Sequence, residues 1–438
     1  MRLRFHFCAT LSYASSFFFS FLRSVPQKTR LRIEGKGAEE EERVRKKHGG
    51  LPESGPMAHP PVARNSQAAR NPCTVAIDGP AINLREVAEL CRRGATEEVR
   101  AVFWKLLMGF LSPEKSHWAK QWEKKTLEYR ELVHRVCQLD ERGNVVVGER
   151  RYRAVDVDAP RTLPSMHFFK CGEPAPTDEG LPVAFSPTQH SLRRILHTVA
   201  GENKRQGYVQ GMNELVGHLL YAFAAGRCEA VNEQLESEVF FCFKTMLACL
   251  GDNFFRSWNH TQDAGGEDTI HDFERLLQFF EPELWEHLKM NQIESEFYAF
   301  RWVTLLFTQE FYVPEVLRVW DFLFSYRGEL RGVVLFVAVA MLHCLRDSLL
   351  SLSDLSELLP LLQSYPSCDV EEFLNVAKSW IAGYGFGLVK VLRAATPEEV
   401  RQLRRCHPMR RLGDDVWLSA SRALASTQEW GKRLLRWR

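Results

Sequence analysis

The sequence is poor in the signatures of self-contained chemistry. Its 11 cysteines are odd in number and form no CxxC pair, which excludes a paired-cysteine zinc framework and a closed disulfide scaffold. Single cysteines scattered along 438 residues fit small apolar core positions in a reducing compartment, so a cytoplasmic protein is expected. No HExxH occurs among the 14 histidines and no serine sits in a GxSxG elbow, leaving zinc-hydrolase and α/β-hydrolase chemistry without support. Gly201 and Gly207 are separated by five residues rather than four, and Tyr208 stands where a phosphate-loop lysine would. The chain therefore has no nucleotide loop of its own. His167, His197 and His218 read as core or capping residues rather than ligands, and no metal or cofactor of the chain's own is expected.

Long apolar runs are also missing. The longest in the body of the chain, Val333 to Leu342, is too short to span a bilayer and reads as a buried central helix. Phe5 to Leu22 is uncharged and follows Arg2 and Arg4, like a signal sequence, but His6, Thr10, Ser12, Ser15, Ser16 and Ser20 interrupt it and no small-x-small cleavage site follows. Met57 is an alternative start. No repeat of fixed period appears, which excludes a solenoid.

The formal net charge is only +2, but it is unevenly spread. Residues 1–72 carry 13 basic and 6 acidic side chains and residues 401–438 carry 10 and 3, leaving 34 and 46 for the middle. An acidic body of −12 thus lies between two ends of +7. Such a body repels nucleic acid, while the ends could touch an anionic surface. The expected organisation is a disordered basic segment at 1–72, one folded domain at 73–395 and a basic tail at 396–438. Trp417, Trp430 and Trp437 in that tail allow two readings: an amphipathic segment on an anionic leaflet, or a solvated helix packed through its tryptophans.

Within the body the apolar residues recur at helical spacing. Leu84, Val87, Ala88 and Cys91 mark one helix, and Val99, Val102, Phe103, Leu106, Leu107 and Phe110 a second. Ser186 and Pro187 supply a cap and a first-turn proline for Leu192, Ile195, Leu196 and Val199. Further helices are expected over 118–136, 213–225, 236–250, 271–290, 296–311, 314–326, 331–350 and 370–380, with a loop at 171–187. No strand alternation with hairpin turns is present, so the fold class is all-α.

Three polar clusters interrupt this pattern. Val155, Asp158, Pro160, Arg161 and Thr162 form a proline-constrained turn, in which Asp158 as a helix cap and Arg161 in a surface ion pair is the plain structural account. Tyr208, Gln210, Gly211 and Asn213 crowd polar groups at the mouth of an apolar helix, with Asn213 as its cap. Phe300, Arg301 and Trp302, with Pro314, Arg318, Trp320 and Asp321, read alone as core.

Taken in order, the clusters resemble the TBC domain of Rab GTPase-activating proteins. GATEEVRAVFWKLL, with Arg100, Trp104, Leu106 and Leu107, is similar to the family's opening motif. Val155, Asp158, Arg161 and Thr162 are similar to its IxxDxxRT, with Val for the usual Ile, and Tyr208 to Asn213 to its YxQGMN. Arg301-Trp302 and Val319-Trp320-Asp321 fit its later motifs. The resemblance spans about residues 84–380, and QGMNEL, FFCF and FYAFRW resemble the animal member-thirteen subgroup.

The resemblance implies a two-lobed helical domain that accelerates GTP hydrolysis on a GTP-bound Rab. By carry-over, Arg161 would be an arginine finger and Gln210 a glutamine finger that orients the attacking water. Asp158 and Thr162 would hold the first, and Tyr208, Gly211 and Asn213 would shape the second. GTP and Mg²⁺ would come with the Rab, at the surface of endomembranes. A Rab-binding scaffold without catalysis and a membrane-tethering helical protein remain the alternatives.

Overall fold

The computed structural model describes residues 71–146, 153–170, 185–204, 206–251 and 269–406. The stretch Phe5–Leu22, most of the expected loop at 171–187 and the tryptophans of the basic end lie outside these residues. Among the described residues every regular element is helical, and the only β pairings are two isolated bridges, Ala81 with Glu114 and Leu139 with Val145.

Local chemistry explains most boundaries. Helix α1 (Leu84–Arg93) begins where the Asn83 side chain accepts from the Arg85 amide and ends at Gly94, whose φ of 109° no helix can continue. Helix α2 (Glu97–Leu107) carries Glu97 and Glu98 in its first turn, against the positive end of its dipole. Helix α3 (Trp118–Val136) follows, then the short α4 (Arg153–Asp158). Helix α5 (Pro187–Glu202) starts from a reciprocal capping box between Ser186 and Gln189 with proline at N1. Helix α6 (Met212–Phe223) starts from left-handed Gly211, and α7 (Glu233–Leu250) is capped by Asn232.

The second half opens with a correction. The helix expected over 271–290 is two, α8 (Thr269–Phe280) and α9 (Pro282–Met290), because Pro282 cannot extend the first and instead starts the second. The helix expected over 296–311 shrinks to α10 (Ala299–Thr304), since Leu306 and Phe307 take left-handed φ values of 47° and 66°. Helix α11 (Val313–Phe324) follows, then α12 (Leu330–Cys344); the helix expected to run to 350 breaks at Leu345 and resumes as a short helix, Arg346–Leu350. Helix α13 (Leu355–Gln363), α14 (Val370–Tyr384), α15 (Gly387–Ala394) and α16 (Pro397–Cys406) are the last helices among the described residues.

The apolar run Val333–Leu342 is buried along its whole length, as expected of a central helix. Helix α12 packs on α14, α8, α7, α10 and α11. In a first group of helices α5 and α7 pack on each other and each packs on both α3 and α6, and α11 joins the two groups by contacting α1, α2 and α6 on one side and α12 and α14 on the other. One continuous apolar core runs through both. Helix α16 also packs on α8, with Val400 buried. The folded unit therefore continues past residue 395: the Thr396–Glu399 capping box starts a further helix inside the stretch expected to be tail. No helix among the described residues is long and apolar enough to cross a membrane.

Candidate functional site

The two finger candidates stand on separate elements that one buried polar network ties together. Helix α4 runs into a single 3-10 turn, Ala159–Arg161, that Pro160 pre-sets. Its inward face is Val155, Asp156 and Asp158, all buried, while Arg161 points to solvent. The chain leaves this turn through Leu163 at φ 43°, a sparsely populated conformation for a leucine.

Asp158 does not cap a helix through its side chain. Its Oδ2 accepts from the Tyr208 hydroxyl at 2.8 Å. Asn213 Oδ1 is 3.0 Å from the same hydroxyl and accepts from the Gly211 amide at 3.2 Å. Asn213 Nδ2 donates to Thr162 Oγ1 at 2.9 Å, and the Thr162 hydroxyl donates to the Asp158 carbonyl at 3.1 Å. Asn213 is thus not the cap of α6 but sits inside its first turn and reaches back to both loops. Burial, then the Asp158 carboxylate, pushes the Tyr208 phenol well above its ordinary range, so the hydroxyl remains a donor.

Thr162, Asn213 and Asp158 are buried and Tyr208 half-buried, whereas Arg161 and Gln210 are exposed. Neither finger candidate has a side-chain hydrogen bond or ion pair to any described residue, so the surface ion pair considered for Arg161 is not formed among them. The arrangement is a buried, hydrogen-bonded brace beneath two exposed polar tips. Glycine permits the close approach. A Cβ at Gly217 of α6 would lie 2.6 Å from Thr162 Cγ2, and Gly211 has φ 101° with Leu305 Cδ2 2.4 Å from where its Cβ would be.

A second buried network fixes α4 from below. Arg193 Nε donates to Asp156 Oδ1 at 2.7 Å, and His197 Nε2 lies 3.0 Å from the same oxygen. The Arg193 guanidinium lies 4.2 Å from the centre of the Phe185 ring. Burial alone would raise the Asp156 carboxyl, but the His197 and Arg193 contacts outweigh it and hold the group below its ordinary range. Burial, with Arg193 and Arg194 nearby, lowers His190 to about 4. His197 thus partners a carboxylate, and His218 is buried with Nδ1 2.7 Å from the Glu214 carbonyl; His167 is exposed. Sequence reasoning missed Asp156 and Arg193. The available signal was an arginine at a core-facing position of α5, masked by the adjacent Arg194.

The third cluster is structural. Asp321, fully buried, accepts from the Ala95 amide at 2.9 Å, from Arg100 Nε at 3.1 Å and from Trp104 Nε1 at 2.8 Å. It joins the opening motif to α11. Arg301 pairs with Glu310 through two 2.8 Å contacts, and Trp302 and Trp320 are buried. No group of three or more His, Cys, Asp or Glu side chains that could hold a metal occurs among the described residues.

A family model described as the Rab-GTPase-TBC domain matches residues 97–350. TBC1 domain family member 13 of Mus musculus is 40% identical over 187 residues, which cover 43% of this chain and 46% of that protein. GTPase-activating protein GYP1 of Saccharomyces cerevisiae is 25% identical over 258 residues, 55% of this chain and 37% of that protein. The matched region spans less than half the length of these two relatives. The crystal structure of the Ypt/Rab-GAP domain of Gyp1p has a similar fold, with a TM-score of 0.58 at 22% identity over 73% of this chain and 96% of that one.

Proposed function

The chain belongs to the Rab-GTPase-TBC domain family, and from that premise we propose that it is a GTPase-activating protein for a Rab GTPase, with Arg161 and Gln210 completing the partner's active site in trans. The observation that carries the proposal is the combination of two exposed polar side chains, neither bonded to another described residue, with a buried hydrogen-bonded brace beneath them.

Hydrolysis of GTP places growing negative charge on phosphate oxygens and needs a water aligned behind the γ-phosphorus. A guanidinium answers the first need. It is planar, charged at any physiological pH, and able to donate two parallel hydrogen bonds to an anion. Arg161 is free to do so because no carboxylate of the described residues competes for it. A carboxamide answers the second, since it can accept from the water with its oxygen while donating with its nitrogen. Gln210 has that chemistry and no hydrogen-bond partner among the described residues. Asp158, Thr162, Tyr208, Gly211 and Asn213 act as positioning residues, because the brace fixes both backbones before a partner arrives and lowers the ordering cost on binding. The nucleotide and Mg²⁺ belong to the partner in this reading, and the chain works at the cytoplasmic face of the membrane that carries its Rab.

The test is single-turnover phosphate release from a panel of GTP-loaded Rabs. Acceleration of at least one is expected. An arginine finger is worth about 10³–10⁵ in rate, so Arg161→Ala should lower the accelerated rate by about 10³ or more while Rab binding persists, and Gln210→Ala should do comparable harm. Binding of GTP-Rab with no acceleration would leave a scaffold instead. Full activity in Arg161→Ala would remove the finger assignment.

A further inference from the structure

Residues 301–310 contain a conformation that their composition does not favour. Helix α10 ends at Leu305, and the next two residues, Leu306 and Phe307, both adopt left-handed φ values, 47° and 66°. Consecutive left-handed residues that are not glycine are costly, and such strain survives only where surrounding contacts impose it. Here the contacts are explicit. The Phe307 amide donates to the Trp302 carbonyl at 2.9 Å and the Leu306 amide to the Val303 carbonyl at 3.2 Å. The buried Trp320 indole donates to the Leu306 carbonyl at 2.9 Å. The two-pronged Arg301–Glu310 pair closes the segment at its ends, and Leu306 and Phe307 have no exposed surface.

The result of this turn is the placement of Leu305. Its side chain is only half-buried, and its Cδ2 occupies the position beside Gly211 where a Cβ would be 2.4 Å away. Gly211 directly follows Gln210 and opens α6. Trp320, which holds the turn, also packs on His218 of α6 with ring centres 5.7 Å apart. The turn and the helix that begins two residues after Gln210 are therefore held by one indole.

We infer that Leu305, driven against the bare Cα of Gly211 by the left-handed Leu306–Phe307 turn, is a positioning residue for Gln210. The inference rests on the reading of Gln210 as a group that acts on the partner's water. Leu305 touches no reacting atom. It limits the backbone excursions of Gln210 from beneath, as the Asp158–Tyr208–Asn213 brace does from the side.

The experiment uses the full chain and its Leu305→Ala, Leu305→Val and Leu305→Met variants, with two readouts. Amide hydrogen exchange in the free protein reads the loop without any partner. In Leu305→Ala, exchange at Gly211 and Met212 should rise about tenfold while α12 keeps its wild-type protection, and Met, which restores the volume, should return it. Single-turnover hydrolysis on an accelerated Rab reads catalysis: kcat should fall about tenfold in Leu305→Ala with KM within about twofold, and recover in Leu305→Met. Should Leu305→Ala loosen the whole fold, Leu305→Val removes only part of the side chain and must show the same local pattern. Wild-type exchange at Gly211 in the shortened variants, or a loss confined to KM, overturns the inference. A wild-type chain that accelerates no Rab sinks the functional reading instead, and the exchange result still decides whether Leu305 holds the loop.

Discussion

Tyr208 has one hydroxyl proton and two oxygen atoms, on Asp158 and Asn213, within hydrogen-bond reach of it. The acidic side of this arrangement extends to Glu214, which follows Asn213 on α6. Burial and, second, the Asp158 carboxylate push Glu214 up to about 7 from an ordinary 4.5. A carboxyl whose pKa is raised by folding binds more protons in the folded state between those values, so its stabilising contribution is complete below about pH 4.5 and lost as pH rises through 7. His218 acts oppositely, because burial lowers it to about 4 and its contribution is lost as pH falls below 6.5. The two effects overlap in the wild type but separate by difference. Glu214→Gln should gain on the wild type by up to about 3 kcal/mol between pH 5 and pH 8, read by urea denaturation at each pH. A difference between the two proteins that stays flat over that range would mean that Glu214 does not carry its proton into the folded state.

At the scale of elements, α11 does more than its length suggests, because Asp321 at its inner face gathers the Ala95 amide, Arg100 and the Trp104 indole from α2 and the turn before it. Burial pushes the Asp321 carboxyl up, and Arg100 opposes that. Breaking such a buried charge pair leaves a guanidinium and two N–H groups without their acceptor, at a cost of about 3–5 kcal/mol. Asp321→Ala should therefore lose that much in equilibrium unfolding; a loss under about 1 kcal/mol would show that water replaces the carboxylate. Elements of this kind were only partly legible in the sequence. The two loops that carry the finger candidates could be located there, because Arg161 and Gln210 lie in short, ordered motifs whose spacing survives in one dimension. The helix breaks at Pro282 and Leu305 are not equally readable: Pro282 is itself a local break signal, but no residue type marks Leu306 and Phe307 as left-handed, since contacts of Trp320, Arg301 and Glu310 impose that turn. The Asp156–Arg193 pair joins residues 37 apart, and the sequence alone offers no reason to connect them.

The whole molecule corrects the inference drawn from charge. The sign change near residue 400 suggested that the fold ends there and a basic tail begins, with the domain expected to stop at 395. Helix α16 crosses that border. It packs on α8, with Val400 buried and Leu403 half-buried against the core, while Arg401, Arg404 and Arg405 are exposed. Arg404 and Arg405 lie in the last turn, where cations favour a helix C-terminus. Part of the positive end is therefore the solvent face of a packed helix. The consequence is measurable by ending the chain at 406 or at 396. Both truncated forms keep Leu392 and Ala395, whose carbonyls accept from Arg275, so they differ mainly in the apolar surface that α16 covers. Burial of a valine side chain contributes about 1.5–3 kcal/mol, and the chain ending at 396 should be less stable by that amount in urea denaturation. Equal stability of the two forms would return α16 to the tail and restore the border at the change of charge.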